Sequence, residues 1–183
     1  MTLVAATQTQ VIATGTLVRL RAKQIDDAEN DYAWRCDPEL AAYDAARPLR
    51  ASFKTFVSTM REELNYPTMH RRTFAIEDLD GERHIGNVMY YGYDQRAGEA
   101  ELGITIGERD FWSSGYGTDS VRTLVEYLFR EIGLTRVYLH TLSWNYRAQR
   151  CFEHAGFQHV QEVQRGGYEF ILMEIEPDNA PDK

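Results

Sequence analysis

Residues 100–133 read AELGITI-GERD-FWSSGYGTDS-VRTLVEYLFREI-G. Apolar and polar residues alternate over the first seven positions, which predicts a strand. Val121, Leu124, Val125, Leu128, Phe129 and Ile132 recur at helical spacing, with Gly133 as the stop. Between strand and helix, two large aromatics give way to small residues around Gly115 and Gly117. Such a turn leaves backbone N–H groups pointing outward at the positive end of the helix dipole. Either the glycines only permit a sharp strand-to-helix turn, or the bare backbone lies against an anion that a Cβ would hold away. No Gly-Lys-Ser/Thr occurs, so a P-loop is excluded. Gly117 has no glycine three residues on, and a meander precedes the turn, so a dinucleotide fingerprint fits poorly.

Working outward, residues 73–77 (TFAIE), 84–94 (HIGNVMYYGYD) and 99–106 (EAELGITI) form an antiparallel meander with turns at Leu79-Asp80-Gly81 and Ala97-Gly98. Upstream, TLVRLR (16–21) alternates as a half-buried strand. Asp26 and Asp27 offer an N-cap for a helix through about Cys36, before a break at Pro38. A second helix starts at Ser52, with Phe53, Phe56, Val57, Met60 and Leu64 at helical spacing. Downstream come a strand RVYLHT (136–141), a helix Asn145–Ala155 closed by Gly156, and strands FQHVQEV (157–163) and YEFILMEI (168–175). The helix turns Ala148, Cys151, Phe152 and Ala155 inward. The order predicts a mixed α/β fold of about seven strands and four helices, with the helices packed on the sheet faces. Residues 1–14 read as a flexible N-terminus, 15–176 as a single domain and 177–183 as a tail.

The 183 residues are 43% hydrophobic and 26% charged, the composition of a soluble globular chain. A formal charge of −8 argues against a nucleic-acid partner; it fits either a cationic substrate or simple solubility. No run is long and apolar enough for a membrane span, and the first residues lack a secretory pattern, so the expected location is cytoplasmic. Cys36 and Cys151 are too few for a disulfide framework. His84 and His140 have no partner at ligand spacing, so no metal site is read.

The stretch WSSGYGT (112–118) resembles the phosphate-binding signature of the GNAT acyltransferases, Arg/Gln-x-x-Gly-x-Gly/Ala, with Trp112 at the Arg/Gln position. NYRAQRCFEHAGF (145–157) resembles the second signature, Asn-x-x-Ala/Ser followed by an aromatic and Gly-Phe. LVRLRAKQIDDAENDYAWRCDPE and GGYEFILMEI resemble the first strand and helix and the closing strand of the branch containing the ribosomal-protein N-terminal acetyltransferases. The likeness runs over roughly residues 16–176. It implies that Trp112, Ser113, Ser114, Gly115, Tyr116, Gly117 and Thr118 cradle the pyrophosphate of acetyl-CoA. It also implies that the pantetheine arm pairs along Ile104, Thr105 and Ile106, and that Asn145 hydrogen-bonds it, a position an N-cap would explain equally. The family's fourth and fifth strands, here EAELGITI and RVYLHT, splay to admit the cofactor. Members of the branch are often homodimers.

The resemblance implies acetyl transfer to a primary amine, which needs a neutral nitrogen and relief of charge on the leaving thiolate. Glu101 matches a glutamate position of the branch and is the candidate base acting through water; a structural carboxylate is the alternative. A tyrosine that protonates the thiolate in many members corresponds to Phe152, and a serine used by some corresponds to Ala148. Ser143, Tyr146 or water then remain as acid. Cys151, at a core spacing, reads as a small packed residue. An α-amine with pKa near 8 is about one-tenth neutral at pH 7, a deprotonation penalty of about 1.4 kcal/mol, against about 4.6 for lysine. The acceptor is therefore expected to be a protein N-terminal α-amine or a small amine such as an amino sugar, polyamine or amino acid. Met89, Tyr90, Tyr91 and Tyr93 either wall the acceptor cleft or pack core and edge. The rival reading is a fold relative that binds acyl-CoA without catalysis.

Overall fold

The computed structural model describes residues 9–177; residues 1–8 and 178–183, in the expected flexible N-terminus and tail, lie outside the described residues. Eight strands form one sheet in the order β1-β2-β3-β4-β5-β6-β8-β7. They are β1 (Val11–Thr14), β2 (Val18–Ala22), β3 (Arg72–Asp78), β4 (His84–Asp94), β5 (Glu99–Ile106), β6 (Arg136–Leu142), β7 (Gln158–Arg165) and β8 (Tyr168–Ile175). The helices are α1 (Ala28–Cys36), α2 (Pro38–Tyr43), α3 (Phe53–Asn65), α4 (Tyr116–Tyr127) and α5 (Tyr146–His154). The mixed, mainly antiparallel sheet is as expected, with one more strand and one more helix.

The extra strand, β1, falls within residues expected to be flexible; its four residues are held by antiparallel pairing to β2. The extra helix, α2, starts at Pro38, where a break is expected. Proline suits a first helical position, and the Asp37 carboxylate caps it by accepting from the N–H groups of Glu39 (2.9 Å) and Leu40 (3.1 Å). Asp27 does not cap α1. Its carboxylate accepts instead from the Gln24 N–H and from Nη1 and Nη2 of Arg21. Ser52 does cap α3, accepting from the Thr55 N–H.

Every neighbouring pair of strands is antiparallel except β5–β6, which pair in parallel over only three positions: Glu99 with Arg136, Ala100 with Val137, Glu101 with Tyr138. Beyond Glu101 the two strands part, the splaying expected from the sequence. Arg136 clamps the joined end, reaching Glu99 on β5 and Glu174 on β8, each at 2.7 Å. On one face, α4 and α5 cover a core in which Val18, Leu20, Ile76, Ile85, Val88 and Leu124 are fully buried. Burying each such side chain contributes about 1.5–3 kcal/mol. Ala100 and Leu102 point into this core, so Glu101, Gly103 and Thr105 face the other way. That opposite face is roofed by α1, α2 and α3.

Candidate active site

The turn before α4 has the backbone its glycines require. Gly115 sits at φ 90° and Ser113 at φ 58°, both left-handed. At Gly117 a Cβ would stand 3.2 Å from Cys151 Sγ, so this glycine lets the first turn of α4 pack against α5. The N–H groups of that first turn have no intrahelical acceptor. Asp119 holds the turn in place: its carboxylate accepts from the N–H groups of Thr16, Leu17 and Val18 at 3.1, 2.8 and 3.0 Å, tying α4 to the start of β2.

In front of the turn lies a cleft of about 580 Å³. Ile104, Thr105, Ile106, Trp112, Ser113, Gly115, Gly117, Thr118 and Asn145 all line it, so the structure brings together most of the expected cofactor residues. Ser114 and Tyr116 lie in the same turn outside the lining: Ser114 Oγ donates to the Trp112 carbonyl, and the Tyr116 ring packs on Phe111. Among the described residues no strand pairs with β5 beyond Glu101 on its β6 side, which leaves main-chain groups along the cleft. Asn145 is an N-cap, accepting from the Ala148 N–H at 3.2 Å, and it also lines the cleft. Phe152, Ala148 and Cys151 line the wall opposite, and burial raises the Cys151 thiol pKa.

Sequence reasoning missed the cationic and aromatic edge of this cleft. Arg147 stacks over Trp112 at 3.7 Å and over Tyr43 at 4.8 Å, while Tyr43 also packs on Trp144. Trp112 Nε1 donates to the Ile106 carbonyl at 2.7 Å, so Trp112 braces β5. A bare glycine turn, an open strand edge and guanidiniums from Arg147 and Arg150 form a site suited to a diphosphate with an amide-bearing arm.

A second cavity, of about 790 Å³, lies between the opposite sheet face and α1–α3. Its floor includes Asn87, Met89 and Thr105, and Phe56, Met60 and Leu64 of α3 line it. Leu40, Asp44 and Thr105 belong to both linings, so the cavities meet there. Asp44, at the end of α2, also escaped sequence reasoning; the Asp37-Pro38 start signal could have located its helix. Water reaches Asp44 through the open cavity, yet protein surrounds it. Its carboxyl pKa is raised by burial, against the pull of Arg35 and the Thr105 hydroxyl. Of the four residues offered as an aromatic wall, only Met89 lines this cavity. Tyr90 is in the core against Phe74 and Tyr93, and Tyr91 faces Glu101 across the β4–β5 register.

Glu101 lies on the cavity face of β5 but outside both linings. It is 9% exposed, and its Oε1 is 2.8 Å from His140 Nδ1 on β6, where the strands part. Burial, then the Glu101 charge, holds the Tyr91 phenol above the ordinary tyrosine range. Ser143 is also outside both linings, with its hydroxyl donating to Glu169 Oε2 at 3.2 Å. Tyr146 lines the cleft in front of the glycine turn and is 69% exposed. No group of three or more potential metal ligands occurs among the described residues. No helix among them is long and apolar enough to cross a membrane.

Comparison with known proteins points the same way. An uncharacterized N-acetyltransferase, p20, of Bacillus licheniformis is 28% identical over 119 residues, covering 64% of this chain and 66% of that protein, just under two thirds of its length. The crystal structure of a spermidine N-acetyltransferase from Vibrio cholerae in complex with CoA and spermine superposes with a TM-score of 0.78 at 20% identity, covering 89% of this chain and 97% of that one. An aminoglycoside acetyltransferase in complex with coenzyme A gives a TM-score of 0.70 at 21% identity, over 88% and 96% of the two chains. At these identities the structural likeness speaks for the fold. The acetyltransferase (GNAT) domain family matches residues 18–158, spanning both strands of the opening, the glycine turn and α5, and the chain belongs to that family.

Proposed function

We propose that this protein transfers an acetyl group from acetyl-CoA directly to a primary amine. The observation that carries the reading is the meeting of two cavities at Leu40, Asp44 and Thr105, one cavity suited to the cofactor and one open to an acceptor. Bound acetyl-CoA supplies the thioester that a neutral amine attacks. Residues 112–118 and the first turn of α4 hold its diphosphate by main-chain N–H groups, with Arg147 and Arg150 beside them. The open edge of Ile104–Ile106 and the Asn145 side chain hold its arm in register. Asp44 and Thr105 orient the amine arriving from the other side.

Glu101 takes the amine proton through water, with His140 fixing the carboxylate. Phe152 and Ala148 offer no hydroxyl, so Tyr146, on the cleft wall, or water returns a proton to the thiolate, and Ser143 is engaged with Glu169. The small deprotonation penalty of an α-amine, about 1.4 kcal/mol at pH 7, favours a peptide N-terminus or a small amine of lowered pKa over lysine. The protein N-terminal amine is the reading suggested by the likeness to ribosomal-protein acetyltransferases. Small amines are suggested by the spermidine and aminoglycoside enzymes of like fold.

The test is thiol release from acetyl-CoA over a panel of peptides, amino sugars, polyamines and amino acids, alongside melting with CoA. A raised melting temperature with amine-dependent thiol release supports the proposal. Stabilisation by CoA with no turnover across the panel marks a binding protein, and indifference to CoA removes the reading altogether.

A further inference from the structure

The acceptor cavity has a charge opposite to that of the chain. The protein carries a formal charge of −8, yet five cations line this cavity: Lys23, Arg35, Arg47, Arg71 and Arg72. Three carboxylates line it with them, those of Asp31, Asp44 and Glu63. Lys23 and Asp31 neutralise each other at 2.8 Å in the floor. The four arginines form no ion pair within 4.0 Å among the described residues. Arg35 feels the Asp44 charge and Arg71 Nη2 contacts Met89 Sδ at 4.0 Å, whereas Arg72 lies over the core Phe74 ring at 5.6 Å beside Tyr90, so its head is turned to the other face of the sheet. The guanidiniums of Arg35, Arg47 and Arg71, exposed along this open cavity with vacant donors, are poised for carboxylate or phosphate and repel polycations.

We infer that the acceptor is a primary amine that also carries an anionic group, held by the cavity arginines while its amine reaches Asp44 and Thr105. This rests on the acetyl-transfer reading above and narrows its substrate class, away from polyamines and aminoglycosides. The sheet sets the span. Thr105 pairs with Asn87, and Met89 is two residues further along β4, which places Met89 about 8 Å from Thr105 at ordinary strand spacings. With the Arg71 head beyond Met89, amine and anion stand on the order of 10 Å apart. A tripeptide with a free C-terminus has that reach, and so does a phosphorylated amino sugar.

The experiment measures kcat/KM for thiol release at low ionic strength with matched pairs: a tripeptide acid against its C-terminal amide, and hexosamine 6-phosphate against hexosamine, with spermidine alongside. The anionic member of at least one pair is expected to be favoured by about tenfold or more, as one or two charge-assisted hydrogen bonds predict. The peptide pair and the sugar pair distinguish a carboxylate from a phosphate. In Arg71→Gln and Arg47→Gln, the ratio within that pair should fall toward one, and salt should lower it in the parent protein. Equal rates within both pairs, or preference for spermidine, overturn the inference while leaving acetyl transfer in place. Absence of thiol release with every amine overturns the acetyl-transfer reading and this inference with it.

Discussion

The cofactor cleft takes most of its lining from two contiguous stretches, Ile104–Thr118 and Asn145–His154, and much of what it offers is main chain. The acceptor cavity draws on α1, α2, α3, β3, β4, β5 and the loop after α2, and what it offers is side chains. A site made of backbone constrains sequence at fixed positions, because few residues tolerate the required φ or the close approach. A site made of side chains gathered by topology leaves no local pattern. The first can be read along the chain, whereas the second needs the fold.

The sharpest break of this contrast is at Gly115. A β-branched residue at φ 90° is strained, so Gly115→Val should displace the turn's N–H groups and weaken CoA by about a hundredfold. The readout is CoA titration, and an unchanged affinity would mean that the main chain does not hold the cofactor. On the other side, the buried Arg21–Asp27 pair supports α1 and the floor of the acceptor cavity. Hydrogen bonds from Arg21, with help from Lys23, overcome burial and lower the Asp27 pKa to about 2. The native carboxyl therefore holds its proton less tightly than an unfolded aspartate near 3.9. The resulting stabilisation, on the order of 2–3 kcal/mol, is complete above pH 4 and lost as pH falls through 2. Urea unfolding of the parent protein and Asp27→Asn at pH 5 and pH 2.5 should show a gap that narrows in acid.

A smaller effect is expected at Glu101. Without a base the reaction depends on the fraction of amine already neutral, so Glu101→Gln should lower kcat/KM about tenfold at pH 7 for an α-amine. The deficit should shrink as pH rises through 8; full turnover at every pH would remove Glu101 from the mechanism. Least affected should be Arg147→Ala, which loses the stacking on Trp112 and raises the CoA dissociation constant about threefold. The same substitution should leave the acceptor's KM unmoved, which would sharpen the separation between the two cavities.

How far the chain could be read follows from this division. The bounds of β4, β5 and β8 match the alternation of their residues, since one face of each is buried. β1 was not legible because VIAT is too short to signal alone and exists through pairing with β2. Pro38 was read as a stop although Asp37 before it makes it a start. The Glu101–His140 contact needed the register of a parallel pair joining segments 37 residues apart. The net charge pointed toward cationic partners, while Arg35, Arg47 and Arg71, which line the second cavity, are scattered along the chain and gather only when α1 and the loop after α2 fold over the sheet.

The Arg136 clamp sits at the closed end of the only parallel pair among the described strands. The joined stretch of β5 and β6 is three residues long, about 10 Å, and β5 runs about 16 Å beyond it, held there by β4 alone. The width of the opening between β5 and β6 is thus anchored by an arginine that lines neither cavity.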